Sequence, residues 1–280
     1  MKKLMFAAAA LAAGFAFADV VSSDVVGYNN VGLLDGGYKM VGATFTTVGD
    51  KTVKLTDLKV TGYEDNEYYL GEMAFTASFQ LRASNGMPYA TYMWSDESSD
   101  METWDGGKWV NVLTGDDITT ENDVTLKPGD GLWFAAPELQ GSTSFTLTTS
   151  GTVLKGDQGV ELNAGGYRGI CNLMPSSVKL SEVEVQGYED NEYYLGEMAF
   201  TMSMQSLLPN GMPSVTYMWA DESSDMETWD GGKWVNVLTG EDITSENDVT
   251  IAAGEGFWAT APTLEGSECF TFVIPKVLAE

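Results

Sequence analysis

Histidine is absent from the 280 residues. Its absence removes the usual general base near neutral pH and the commonest transition-metal ligand. Ser-His-Asp and Cys-His catalysis is thereby excluded, which leaves carboxylate-only chemistry such as glycoside hydrolysis. Basic residues are scarce: 14 Lys and Arg face 41 Asp and Glu, for a formal net charge of −27. Such a surface repels nucleic acid and anionic lipid, because binding either requires Lys and Arg to neutralise phosphates. Divalent cations, neutral glycans and simple solubility are all compatible with it. After the first residues no long apolar run occurs, so no membrane insertion is expected. Disorder is excluded by what is present, since 44% hydrophobic and 11% aromatic residues suffice for a packed core.

The N-terminus sets the expected compartment. Lys2 and Lys3 precede an apolar run over residues 4–17 that closes with Ala16-Phe17-Ala18. A positive start, a short apolar core and an A-x-A ending give residues 1–18 the pattern of a secretory signal peptide. The chain is therefore expected outside the cytoplasm: periplasmic, on the cell surface or extracellular. Residue 19 is Asp, not the cysteine of a lipid-anchored protein, and loss of Lys2 and Lys3 takes the charge from −27 to −29 (−27 − 2).

Cysteine is nearly absent too. Cys171 and Cys269 are the only two, both in the second half. In an exported chain an even pair favours a disulfide, worth about 4–5 kcal/mol for a loop of that length in the chain-entropy model. Two separate buried thiols are the other reading of the pair.

What is abundant is repetition. GYEDNEYYLGEMAFT at residues 62–76 recurs unchanged at 187–201, an offset of 187 − 62 = 125. The same offset carries Trp94 to Trp219, Trp104 to Trp229, Trp109 to Trp234 and Trp133 to Trp258. Upstream, Gly36-Gly37-Tyr38 matches Gly165-Gly166-Tyr167 at an offset of 129, so the second copy is shorter by four residues (129 − 125). Two modules of domain size follow, residues 19–150 and 151–280.

Within a module, Phe75, Ala77, Phe79 and Leu81 alternate with polar residues, the period of a half-buried strand. Asn85-Gly86 predicts a tight turn into a returning strand at residues 89–95. Further strands are expected at 108–113, 132–136 and 144–149, with one helical turn in residues 55–60. Many short strands joined by Gly-rich turns predict an all-β protein of two tandem homologous β-sandwich or partly open barrel modules. The order GGYKMVGATF, then YMW…WDGGKWV, then LKPGDGLWFAAP resembles a β-module of bacterial secreted and surface proteins. That module has a G-x-N-L-I-G opening strand, a W-D hairpin and an L-x-P-G-x-G-F-W closing strand. The resemblance implies a surface or accessory β-domain and brings no catalytic residues. The second copy departs from it at Ala252-Ala253-Gly254-Glu255-Gly256, which lacks the proline.

TYMWSDESSDMETWDGGKWVNVLTG at residues 91–115 recurs at 216–240 with one change, Ser95 to Ala220. Trp94, Trp109 and Trp133 are expected in the core. Trp104 lies in a loop and is a candidate platform for a sugar ring, with Asp100 and Asp105 accepting from sugar hydroxyls. Trp229, Asp225 and Asp230 repeat that arrangement. Asp96, Asp100, Glu102 and Asp105, with Asp221, Asp225, Glu227 and Asp230, are the oxygen ligands a Ca²⁺ site would use. Their spacing does not match D-x-[DN]-x-[DN]-G, and a solvated acidic loop is the plainer account. Asp116, Asp117, Glu121 and Asp123, copied as Glu241, Asp242, Glu246 and Asp248, would add oxygens. No cofactor other than such a Ca²⁺ is expected.

A glycosidase needs two carboxylates about 5–10 Å apart across a cleft, and nothing in the repeat specifies one. The sequence therefore predicts an exported, non-enzymatic structural or interaction protein at or beyond the cell surface. Its expected partners are another surface protein, a glycan or a second copy of itself. The alternative is a bivalent, Ca²⁺-assisted glycan-binding protein using the loop tryptophans and acids.

Overall fold

A computed structural model describes residues 25–34, 36–50, 52–61, 75–83, 85, 87–96, 107–136, 144–156, 158–187, 202–208, 210–221, 232–263 and 269–274. The fold is all-β. In the first module β1 (Val26–Leu34), β10 (Ser144–Thr152) and β4 (Lys59–Thr61) form a three-stranded antiparallel sheet in that order. A five-stranded sheet runs β2 (Tyr38–Gly42), β9 (Gly131–Ala135), β5 (Phe75–Arg82), β6 (Pro88–Asp96), β7 (Gly107–Asn111). β3 (Val53–Lys54) and β8 (Thr125–Leu126) add a short pair. The two main sheets lie face to face as a sandwich, and the described strands close no barrel.

The period-2 pattern decides which side chains face the core. On β5, Ala77, Phe79 and Leu81 are buried, and Ser78 and Gln80 are not. Val31, Leu33, Phe145 and Leu147 of the small sheet complete one core with Phe79, Trp109 and Phe134 of the large one. Trp109 stands edge-on to Phe79 at 5.1 Å and to Trp94 at 5.1 Å, an arrangement that suits the ring quadrupoles. Its indole Nε1 donates to the Leu58 carbonyl at 2.8 Å, so a buried polar atom is satisfied. The single helical turn expected within residues 55–60 is a 3₁₀ turn at Leu55–Asp57, and it presents that carbonyl.

The second module repeats this order: β11 (Gln158–Asn163), β20 (Cys269–Ile274) and β14 (Glu184–Gln186) form the small sheet. β12 (Tyr167–Cys171), β19 (Gly256–Thr260), β15 (Ser203–Leu207), β16 (Pro213–Asp221) and β17 (Gly232–Asn236) form the large one. β13 (Val178–Lys179) pairs with β18 (Thr250–Ile251). A separate core includes Phe257, Phe270, Phe272 and Trp234, whose Nε1 donates to the Val183 carbonyl at 2.7 Å.

The missing four residues fall between β12 and β13, six residues against ten between β2 and β3. The longer connection in the first module carries Phe45, 2% exposed, and Thr46, which bridges Thr152. That bridge accompanies a β10 of nine residues. β10 therefore runs past residues 150 and 151, where the repeat suggested the join, to Thr152. The second module compensates for its missing proline. Asn172, fully buried, donates from Nδ2 to the Ile251 and Ala252 carbonyls at 3.2 and 3.1 Å and holds the start of that turn.

Two expectations are corrected. β7 stops at Asn111 instead of running to Leu113. The Asn111 Oδ1 accepts from the Leu113 and Thr114 amides at 2.9 and 3.3 Å, a local turn that outcompetes the ladder, and Leu113 ends up 88% exposed. Cys171 and Cys269 form no disulfide: both are free thiols. Cys171 ends β12 in the large sheet and Cys269 begins β20 in the small one, and the buried Cys171 side chain packs against Gly42 of the other module.

Candidate functional site

The described tryptophans of the repeated stretch belong to the core. Trp94 and Trp109 are buried at 6% and 1% exposure, as are Trp219 and Trp234 at 5% and 1%. A Cβ on Gly107 would lie 2.3 Å from the Trp94 Nε1, so the second glycine of Asp105-Gly106-Gly107 makes room for a core ring. Asp96 and Asp221 end β6 and β16. Asp100, Glu102, Trp104, Asp105, Asp225, Glu227, Trp229 and Asp230 lie outside the described residues, as do the side chains of Asp96 and Asp221.

The second acidic cluster has structural partners. Asp117 pairs with Lys108 at 2.8 Å and Asp242 with Lys233 at 2.8 Å. Asp123 accepts from the Thr56 amide and hydroxyl, and Asp248 does the same for Ser181. Among the described residues no three acidic or thiol side chains are placed to hold a metal ion.

What the structure does bring together is a joint between the modules. Gly42 donates its amide to the Gly254 carbonyl at 3.0 Å, and Cys171 donates to Gly129 at 3.1 Å. These are one contact made twice, because 42 + 129 = 171 and 254 − 125 = 129. The bridges Val41↔Glu255 and Asp130↔Ile170 obey the same relation. An approximate two-fold axis therefore relates the modules, as in a symmetric dimer. Four rings cross it in a row: Tyr38 to Trp133 at 5.8 Å, Trp133 to Trp258 at 5.6 Å and Trp258 to Tyr167 at 4.8 Å. The Arg82 guanidinium lies 5.5 and 5.1 Å from the two central ring centroids, a cation–π cover. Trp133 thus belongs to the joint, not to the core of its own module.

The side chains at the joint break the symmetry. Met40, 1% exposed, faces Gly169 and Gly256, where a Cβ would come within 2.9 and 2.4 Å of it. Cys171 fills the hollow beside Gly42. A Cβ on Gly131 would stand 2.6 Å from the Gly169 carbonyl carbon, so the backbones themselves touch. Arg168 pairs with Asp130 across the joint. Burial pushes the Cys171 thiol far up and Asp130 adds to this, with Arg168 opposing. Burial likewise raises the Tyr167 phenol, opposed by Arg82. Both groups are held neutral, so neither is an activated nucleophile. A cleft of about 150 Å³ beside the joint, lined by Tyr38, Lys39, Met40 and Glu255 among others, is smaller than the ~300 Å³ at which drug-sized sites begin.

Sequence reasoning missed this joint. Its signal was present in the strand glycines Gly42, Gly131, Gly169 and Gly256, which a sheet exposed to water does not require. Compared with known proteins, the chain matches no family model, no curated protein and no solved structure.

Proposed function

We propose that the chain is an exported, non-enzymatic structural or interaction protein at or beyond the cell surface, in which two copies of one β-sandwich form a rigid two-fold pair. The joint is the observation that carries this reading. Reciprocal backbone bonds and glycine-to-backbone contact fix the relative directions of β6–β7 and β16–β17, the hairpin strands that each copy carries. Paired presentation raises avidity for a partner with repeated sites by ~100-fold or more where geometry allows both to engage. The leader pattern supports export. The absence of histidine and the neutral, buried Cys171 support a non-enzymatic role.

The test is expression of the whole chain in an exporting bacterial host, with mass spectrometry of each cell fraction. The expected product begins at Asp19 and lies outside the cytoplasm; an intact Met1 form retained inside would overturn the reading. A glycan array run on the same material separates the roles. Signals abolished by Trp104→Ala with Trp229→Ala would replace the structural reading by glycan binding.

A further inference from the structure

We propose that β1 is a docking edge for a second copy of this chain, joining two molecules β1 to β1 through one continuous antiparallel sheet. β1 stands at the end of its sheet in the order β1-β10-β4. It is nine residues long, and residues 25–34 carry no charge in a chain whose net charge is −27. Val26 and Tyr28 are 61% and 74% exposed.

The hydrogen-bond register shows which backbone groups face outward. The Val153 amide donates to the Val25 carbonyl at 2.7 Å, so Val25, Gly27 and Asn29 aim their polar groups at β10. Val26, Tyr28 and Asn30 aim theirs away from the sheet. The Lys39 ammonium, 3.5 Å from the Gly32 carbonyl, marks the same outward set and closes that end of the strand. The open stretch is Val26 to Asn30, centred on Tyr28.

The second module supplies an internal comparison. Its equivalent strand β11 has six described residues and carries Glu161 where β1 has Gly32, while Arg168 covers the Glu161 carbonyl at 3.0 Å much as Lys39 covers that of Gly32. The outer edge of β7 is covered as well, by bonds from Asn111 to Asp116 at 2.9 Å and from Ile118 to Trp109 at 2.8 Å. Shortening, charge and covering are the usual ways an edge is protected from pairing. Among the described residues nothing bonds the outward backbone groups of Val26, Tyr28 and Asn30, and Asn29 turns its side chain inward to the Ala253 carbonyl at 2.8 Å. A second copy is the occupant that the chemistry selects. A two-fold axis through Tyr28 sets Val26 of one chain against Asn30 of the other, so the edge is self-complementary and the assembly closes at two. Two polyanionic chains repel over most of their surfaces and can approach only where charge is missing. This inference goes beyond the proposed function and stands whether or not Trp104 and Trp229 bind a glycan.

The experiment is analytical ultracentrifugation of residues 19–280 from micromolar to millimolar concentration. The wild type is expected to sediment as a concentration-dependent dimer. Tyr28→Pro removes one outward amide and no inward bond, so it should leave a folded monomer with an unchanged circular dichroism spectrum. Tyr28→Lys gives the same loss by charge should the proline variant fail to fold, and Glu161→Lys on β11 should leave the dimer intact. A wild type monomeric at every concentration, a dimer that survives both Tyr28 substitutions, or a dimer lost in Glu161→Lys overturns the proposal.

Discussion

A methyl group added at Gly42 would stand 1.9 Å from the Cys171 Sγ and 2.1 Å from its Cβ. Cys171 is fully buried, and the Gly42–Gly254 and Cys171–Gly129 bonds hold both strands in place. Relief therefore requires the modules to part locally, and Gly42→Ala should cost ~1–3 kcal/mol as overpacking. The sign should reverse in the Cys171→Gly background. There, of the three nearest atoms, only the Cα of residue 171 remains, at 3.5 Å, an ordinary contact, and the methyl refills part of the hollow. Reduced freedom of the unfolded chain then makes Gly42→Ala neutral to stabilising by about 0.4–1 kcal/mol. Urea unfolding of the four proteins measures the cycle, with an expected coupling of about 1–3 kcal/mol. Thiol labelling supplies a local readout: Cys269 reacts in the native state, Cys171 only on unfolding, and Gly42→Ala accelerates Cys171. Equal destabilisation by Gly42→Ala in both backgrounds would refute the packing argument, and a Cys171–Cys269 linked peptide would refute the free thiols.

Two further outcomes follow from the same contacts. The Cys171 thiol lies above its ordinary value of 9.0 in the fold, so above that pH the unfolded chain releases a proton that the folded one keeps. Stability from this group should fall by about 1.4 kcal/mol per pH unit as pH rises past 9, and the urea midpoint of Cys171→Ala should decline less steeply between pH ~9 and ~10; identical slopes would contradict it. Trp109→Phe and Trp234→Phe each strand a buried carbonyl, that of Leu58 or Val183. Each should lose about 1–3 kcal/mol for the unpaired acceptor, with a cavity cost in addition. Thermal melts with shifts no larger than a surface substitution would disprove that role.

Local chemistry made much of the fold legible. The alternation over β5, the Asn85 turn and the strand aromatics needed only a period and a turn preference, and each is local. Val112 and Leu113 were misread because their apolar character continues the strand pattern, whereas the Asn111 side chain bonds its own backbone and ends it. The disulfide was misread because cysteine count and compartment are silent about which sheet each thiol faces. The stretch around Trp104 was legible as composition alone, since its residues lie outside the described part of the structure.

By itself the sequence determined the repeat, the alternation that buries one face of β5, and the strongly negative charge, because these follow from periodicity, side-chain chemistry and counting. Only the tertiary structure decided which faces meet. Gly42 could be read along the chain as a flexible residue, and Cys171 as half of a disulfide. Their shared role, a hollow and the group that fills it, arises only when residues 129 positions apart are set side by side. Close packing is a property of pairs, so no single position carries it.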